Sequence, residues 1–376
     1  QSLLIDHGIC DIEIRKVDLT GRYAKNKNKI NRPFRYLKKL YRKLGYKSGL
    51  ASLPEKEARY VCSRLAGKYI DSDTAAVIFA GGGIVKFKYQ QFHIYIDEFT
   101  KRADKLGVPV MMNAVGVEGY DANDPECMLL KRALNRDCVK YISTRDDIDI
   151  LADKYCENSQ ITELVADPVC SLSFMKPLKK RQQKERIIGL GTVRSGLFVD
   201  NDIDFTRDDM LKFWSQLVRE IQKRGMQCRV FCNGTIDDML FQDDLAKYMG
   251  LSDAEKKELM YERPTSVGQL ARYINGFDAV ITGRLHASII AYSYAVPSVG
   301  LVWNDKQRMF GRIIGHPERF IEPGDFNANT VIDAVEAAME TGYDENTRKS
   351  FSATTSAFMD RFVRDYLTDR VSSDPQ

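Results

Sequence analysis

The 376-residue sequence has no apolar run long enough to cross a membrane. Its longest, Ala75 to Val85 and Ala287 to Trp303, are broken by Gly82 and Pro297 and fall short of the required roughly 20 residues. No signal-peptide pattern precedes them, so the chain is expected in the cytoplasm. Its eight cysteines include no CxxC pair. The closest two, Cys228 and Cys232, share the strand-like QCRVFCNG with no histidine near in sequence, which reads as reduced thiols and excludes both a disulfide framework and a zinc-finger pattern. No metal site is expected. Histidine is scarce, at four residues. An initiator methionine is also missing, and QSLLIDHG reads as part of a helix before the strand DIEIRKVDL, so a preceding strand and turn are expected to be absent. What is present is ordinary globular composition, 44% hydrophobic and 29% charged, in a length that suggests two domains.

Charge is unevenly spread. Residues 21–47 carry eleven Lys or Arg and no acid, so the overall +4 leaves −7 for the rest of the chain. Tyr23, Phe34, Tyr36, Tyr41 and Tyr46 are interleaved with the cations, and the segment after Pro33 is compatible with an amphipathic helix. Such a face suits an anionic membrane surface, where each basic residue contributes about 1 kcal/mol and aromatic rings sit at headgroup level. The rival readings are a nucleic-acid arm and a merely solvated basic segment; with no recognition motif beside it, no nucleic-acid partner is expected.

Strand and helix alternate along the remainder. PEKEARYVCSRLAGKY reads as a helix, AAVIFAGGG as a buried strand ending in glycines, and QQFHIYIDEFTKRADKLG as an amphipathic helix. VPVMMNAVG, KYISTRD and ITELVADP read as strands, separated by the helices DPECMLLKRALNR and DIDILADKY. Between Phe174 and Arg186 the chain turns polar and basic around one proline, as a linker does. The alternation then restarts with the strand RIIGLGT, the helix MLKFWSQLVREIQKRG and the strand QCRVFCNG. The helix SVGQLARYINGF, the strand DAVITG, the helix RLHASIIAYSYA, the strand PSVGLVW and the helical KQRMFGRIIG follow. The expected fold is α/β, two Rossmann-like doubly wound domains facing a cleft: residues 1–178, residues 186–340, and a C-terminal helix and tail over 341–376.

Open α/β sheets bind ligands at their carboxyl ends. DAVITG ends at Thr282-Gly283, which puts Arg284, Leu285 and His286 on the turn and first turn of the next helix. Unpaired backbone N–H groups and the positive end of the helix dipole favour an anion there, and Arg284 adds a planar fork for a phosphate or carboxylate. A histidine beside a bound anion has its pKa raised and can donate a proton. The plainer alternative is an arginine capping a carbonyl and a histidine hydrogen-bonded in the core. Arg145 and Asp146, after the strand YIST, are expected to pair structurally.

Taken in order, FAGGG (79–83), NAVGVEGYD (113–121), YISTRDD (141–147), ADPVCSL (166–172) and GRLHASIIAYSYAVPSVGLVWNDKQRMFGRIIG (283–315) resemble the polysaccharide pyruvyl transferase family. The resemblance implies a GT-B-like fold, phosphoenolpyruvate as co-substrate with no further cofactor, and a cyclic pyruvate ketal formed across two hydroxyls of a sugar in a polysaccharide or lipid-linked repeat unit. On that reading the donor candidates are Arg284, the helix start at Leu285, Arg194 in GTVRSG and Lys306 in WNDK, with His286 as the catalytic acid. The first half is the acceptor side: Gly81, Gly82 and Gly83 allow close approach of a ligand, Lys86 and Tyr89 contact it, and Glu118 accepts a hydroxyl proton. The glycines have a dull alternative as a tight turn, and Glu118 as a helix cap. Lipid-linked acceptors would give segment 21–47 a use, docking the enzyme peripherally at the inner face of the plasma membrane. Two other functions fit the pattern: a GT-B glycosyltransferase using a nucleotide sugar, disfavoured by the lack of an acid in ASIIAYSYA, and a non-catalytic binder of anionic glycans.

Overall fold

The computed structural model describes residues 6, 7, 9, 13–17, 55–87, 92–180 and 185–368. The basic segment 21–47 and Tyr89 lie outside the described residues. Among those that are described, no helix is long and apolar enough to cross a membrane. The chain divides into two units, one of residues 1–165 with 354–376, the other of residues 166–353.

The first unit contains a parallel four-stranded sheet, β1 (Val77–Ala80), β2 (Val110–Val115), β3 (Val139–Thr144) and β4 (Thr162–Leu164), in the order β1-β2-β3-β4. Helices α1 (Glu55–Tyr69), α2 (Phe92–Lys105) and α3 (Pro125–Leu134) accompany it, and a π-helical turn, Ile150–Tyr155, stands where DIDILADKY predicts a helix. Asp124 caps α3 by accepting from the N–H groups of Glu126 and Cys127, and Pro125 takes the first turn, where a missing N–H costs nothing. Side chains alternate across a strand, and in β2 an irregularity between Met112 and Val115, where Ala114 has φ of 50°, shifts that alternation by one residue. In β2, Val110, Met112 and Val115 pack with Ile94, Phe99 and Leu130 of the helices. Met111 and Ala114 face the other way, with Val165, Phe358 and Phe362.

Those two phenylalanines belong to α11 (Glu345–Tyr366), a 22-residue helix that begins in the second unit and ends in the first. The sheet order does not reverse among the described strands, so crossovers of one hand run in one direction. Its second face is covered by Ile9 and the end of α11, rather than by crossover helices of its own.

The second unit holds a parallel five-stranded sheet in the order β6-β5-β7-β8-β9, with β5 (Ile187–Gly191), β6 (Gln227–Phe231), β7 (Ala279–Thr282), β8 (Ser298–Leu301) and β9 (Phe320–Ile321). Helices α4 (Arg207–Lys223), α5 (Ile236–Met249), α6 (Asp253–Leu259), α7 (Val267–Asn275), α8 (Leu285–Ser293), α9 (Asp305–Ile313) and α10 (Ala328–Thr341) connect and flank the strands. Ile188, Leu190, Ala279 and Ile281 pack with Trp214 and Leu217 of α4 and Val331 and Val335 of α10. Ile187 and Val280 point to the opposite face, against Ile274 of α7 and Ile290 of α8.

The units do not divide at the polar stretch 174–186. Residues 166–178, expected with the first half, lie in the second unit. Ala166 and Cys170 are buried with Ile289, Tyr292 and Val302, and the Ser173 N–H donates to Ser293 Oγ at 2.9 Å. Nor do residues 341–376 stand apart, since Ser171 Oγ donates to the Ser352 carbonyl at 2.7 Å and the later half of α11 joins the first unit.

Candidate functional site

In the second sheet the chain goes from β5 to β6 on one side, then crosses back to β7 on the other. The carboxyl ends of β5 and β7 therefore flank a topological switch point, where such sheets bind ligands. Arg194 follows β5, Arg284, Leu285 and His286 follow β7, and Lys306 follows β8, the next strand along. Five residues singled out from sequence thus share one sheet edge.

Close backbone packing shapes that edge. Thr282 Oγ1, fully buried, donates to the Gly191 carbonyl at 3.1 Å and accepts from the Arg284 N–H at 3.0 Å. A Cβ on Gly191 would lie 2.5 Å from this hydroxyl, so glycine is required where β5 meets β7. The Gly283 carbonyl accepts from Trp303 Nε1 at 2.6 Å and Gln307 Nε2 at 3.1 Å, which ties the turn after β7 to the turn after β8. Arg284 is the N-cap of α8 and its side chain does not cap the helix; Leu285 is the first helical residue and His286 is exposed. Lys306 sits in the first turn of α9, whose N-cap is Asn304.

The Arg284 guanidinium is held by a residue that sequence reasoning missed. Asp238 has no exposed surface. Its carboxylate accepts from Arg284 Nε at 3.1 Å, from Arg284 Nη2, and from the Arg194 N–H at 2.8 Å. Asp238 lies in the first turn of α5, a helix not assigned from the sequence. Thr235 caps that helix by accepting from the Asp238 N–H at 3.2 Å. The T-x-x-D spacing of TIDD was the available signal. The Arg194 side chain is bound more loosely, Nη1 lying 2.5 Å from Asp200 with side-chain exposures of 34% and 58%. Cys232, after β6, is a buried thiol whose pKa is raised by burial and then by the Asp238 charge, and so is no ready nucleophile.

The first sheet gathers its candidates on its own carboxyl edge. Gly81 and Gly83 after β1 have φ of 131° and 68°, conformations that favour glycine. Gly82 is glycine for a different reason: a Cβ there would overlap the Arg145 guanidinium, which lies against this backbone. What approaches Gly82 in the structure is thus a neighbouring side chain. Asp146 is buried and its Oδ1 accepts from the N–H groups of Val117 at 2.8 Å and Asp147 at 2.9 Å and from Thr144 Oγ1 at 2.9 Å, which organises the turn after β3. Past β1 and β2 the backbone pairs once more at Val85 and Val117. This extension places Lys86 Nζ 2.6 Å from Glu118 Oε2, both half-buried, so two acceptor candidates meet as an ion pair. Glu118 is not a helix cap. Among the described residues no three His, Cys, Asp or Glu side chains gather to hold a metal.

The model of the family described as polysaccharide pyruvyl transferase matches residues 5–305. No curated protein matches the chain in sequence. Among solved structures, the UDP-GlcNAc 2-epimerase from Methanocaldococcus jannaschii is similar with a TM-score of 0.57 at 14% identity, over 90% of this chain and 89% of that one. The UDP-GlcNAc 2-epimerase from Neisseria meningitidis, solved bound to UDP-GlcNAc, is similar with a TM-score of 0.53 at 10% identity, over 90% of each chain. Likeness at these identities concerns the fold alone, and with the two parallel sheets it makes the chain an α/β protein of two Rossmann-like domains, GT-B-like as expected.

Proposed function

Since the chain belongs to the polysaccharide pyruvyl transferase family, we propose that it moves the pyruvyl group of phosphoenolpyruvate onto two hydroxyls of a sugar in a polysaccharide or lipid-linked repeat unit, closing a cyclic ketal. The observation that carries this reading is the carboxyl edge of the second sheet, where Arg194 and Arg284 follow the two strands of the switch point, Lys306 follows the next strand, and the start of α8 carries an exposed histidine. Phosphoenolpyruvate bears a phosphate and a carboxylate, so its site needs several cations and oriented N–H groups. The first N–H groups of α8, at Leu285 and His286, supply such donors where the helix dipole is positive.

In the proposed reaction His286 protonates C3 of the enol, and C2 becomes an oxocarbenium-like electrophile. One sugar hydroxyl adds to C2 and gives up its proton, for which Glu118 is the proposed acceptor. Phosphate then leaves with the electrons of its C–O bond, neutralised by Arg284, Arg194 and Lys306. The second hydroxyl adds to C2, loses its proton and closes the ring. Gly81, Gly82, Gly83, Lys86 and Tyr89 are proposed to bind the sugar. Segment 21–47, basic and aromatic, is proposed to hold the enzyme at an anionic membrane; loss of pelleting with anionic liposomes when several of its lysines become glutamine checks this.

The direct test is the thermal midpoint with phosphoenolpyruvate against nucleoside diphosphates, for wild type and Arg284→Ala. Ligand at a hundred times its Kd stabilises by about 2.7 kcal/mol. A shift with phosphoenolpyruvate that disappears in the variant supports the proposal. A shift with a nucleoside diphosphate alone would replace it with nucleotide-sugar chemistry.

A further inference from the structure

We infer that Asp238 is a positioning residue for phosphoenolpyruvate, fixing which edge of the Arg284 guanidinium faces the donor and locking the Arg194 turn to it. The inference rests on the donor reading above and deepens it.

Asp238 cannot itself touch a ligand, because it has no exposed surface. A carboxylate so placed is stable only when charge and hydrogen bonds compensate its lost hydration. Its three bonds are shared between two strand ends: two go to the Arg284 side chain and one to the Arg194 main chain. Both bonds from Arg284 use one side of the guanidinium, Nε and Nη2. An arginine has five N–H donors in a rigid fork. Occupying the Nε side leaves the terminal fork, Nη1 with the second Nη2 hydrogen, and no hydrogen bond of Nη1 is formed among the described residues. This fork is the edge that grips a phosphate or carboxylate in two-point fashion. At 22% exposure the Arg284 side chain keeps part of its surface accessible. Asp238 thus converts a flexible cation into one of fixed direction. Because the same carboxylate holds the Arg194 N–H, the ends of β5 and β7 cannot separate without breaking it.

The experiment is steady-state kinetics in phosphoenolpyruvate for wild type, Asp238→Asn, Asp238→Glu and Arg284→Ala, with the double variant Asp238→Asn/Arg284→Ala. Asparagine offers one acceptor and turns an NH2 group toward a guanidinium. Glutamate keeps the charge, and hence the fold if the asparagine variant does not fold, but pushes the fork outward by a methylene. Misplacement on the scale of 1 Å costs up to about 10²-fold, so KM for phosphoenolpyruvate should rise by about ten- to a hundredfold in both, with a smaller change in kcat. In the double variant the asparagine should add nothing to the loss caused by Arg284→Ala, since it acts through that side chain. Wild-type KM in the folded variants overturns the inference, whatever their thermal midpoints, as does a full additional loss in the double variant. A wild-type enzyme that phosphoenolpyruvate does not saturate defeats the donor reading itself and the role of Asp238 with it, an outcome separable because it appears without any substitution.

Discussion

At the edge of the second sheet Arg284 is held by a buried carboxylate, whereas at the edge of the first the Arg145 guanidinium lies against the backbone of Gly82, in the space a side chain there would fill. A carboxylate fixes both the direction and the charge of its arginine, and removing either partner leaves an uncompensated ion. A glycine contributes room, and one methyl group takes that room away. The first arrangement suits holding a small anion in one pose.

The largest effect should come from His286→Ala. If His286 is the general acid proposed, its loss should cost about 10²- to 10⁴-fold in kcat. The side chain is exposed, so the thermal midpoint should stay at the wild-type value. Retained turnover in that variant would make the second edge a binding surface only.

Next come the two arginines of that edge, which differ in their partners. Arg284→Ala strands a fully buried Asp238 and should cost about 3–5 kcal/mol of stability by denaturant titration. Arg194→Ala breaks a pair whose Asp200 side chain is 58% exposed, and should cost about 0–1 kcal/mol. Equal losses would erase the distinction between a buried and a superficial anchor.

Gly82→Ala tests the first edge by itself. The added methyl displaces the end of a flexible side chain, at about 1 kcal/mol. KM for the sugar should rise while the thermal shift with phosphoenolpyruvate is unchanged. A change in both would mean that the edges are not independent.

The smallest effect is acid sensitivity of the first unit. His93 is buried, at 1% exposure, and burial holds its pKa below the usual 6.5. The folded form therefore binds fewer protons there than the unfolded chain, so stability is full above about pH 6.5 and falls as the pH drops below it. His93→Phe should flatten that slope in thermal midpoints measured from pH 7 to 5.

Most strands and helices are legible in the sequence because buried parallel strands are short apolar runs closed by Gly or Pro, as in AVIFAGGG and DAVITG. The shared edge of Arg194, Arg284, Leu285, His286 and Lys306 is legible too, since each follows a strand end. Helix α5 escaped notice. Ile236 and Leu240 are 61% and 51% exposed while Phe241 and Leu245 are buried, so apolar residues surround the helix and no stripe marks it. With α5 unassigned, Asp238 had no strand end or helix start to mark it. Strand β9 escaped for its length, two residues. The cover of the first sheet by α11 was illegible for another reason: Phe358 and Phe362 meet Met111 across almost 250 residues, and local periodicity carries no address.

That long-range closure has a consequence for how the protein is made. Met111, Ala114 and Val165 emerge from the ribosome early, but the phenylalanines that cover them are translated only after the whole second unit. At ~5–20 residues per second the delay is on the order of ten seconds or more, during which an apolar sheet face is open to water and to other nascent chains. Synthesis thus sets a period in which that face of the first unit lacks its cover, and any premature stop between Ala166 and Ala353 would make the exposure permanent.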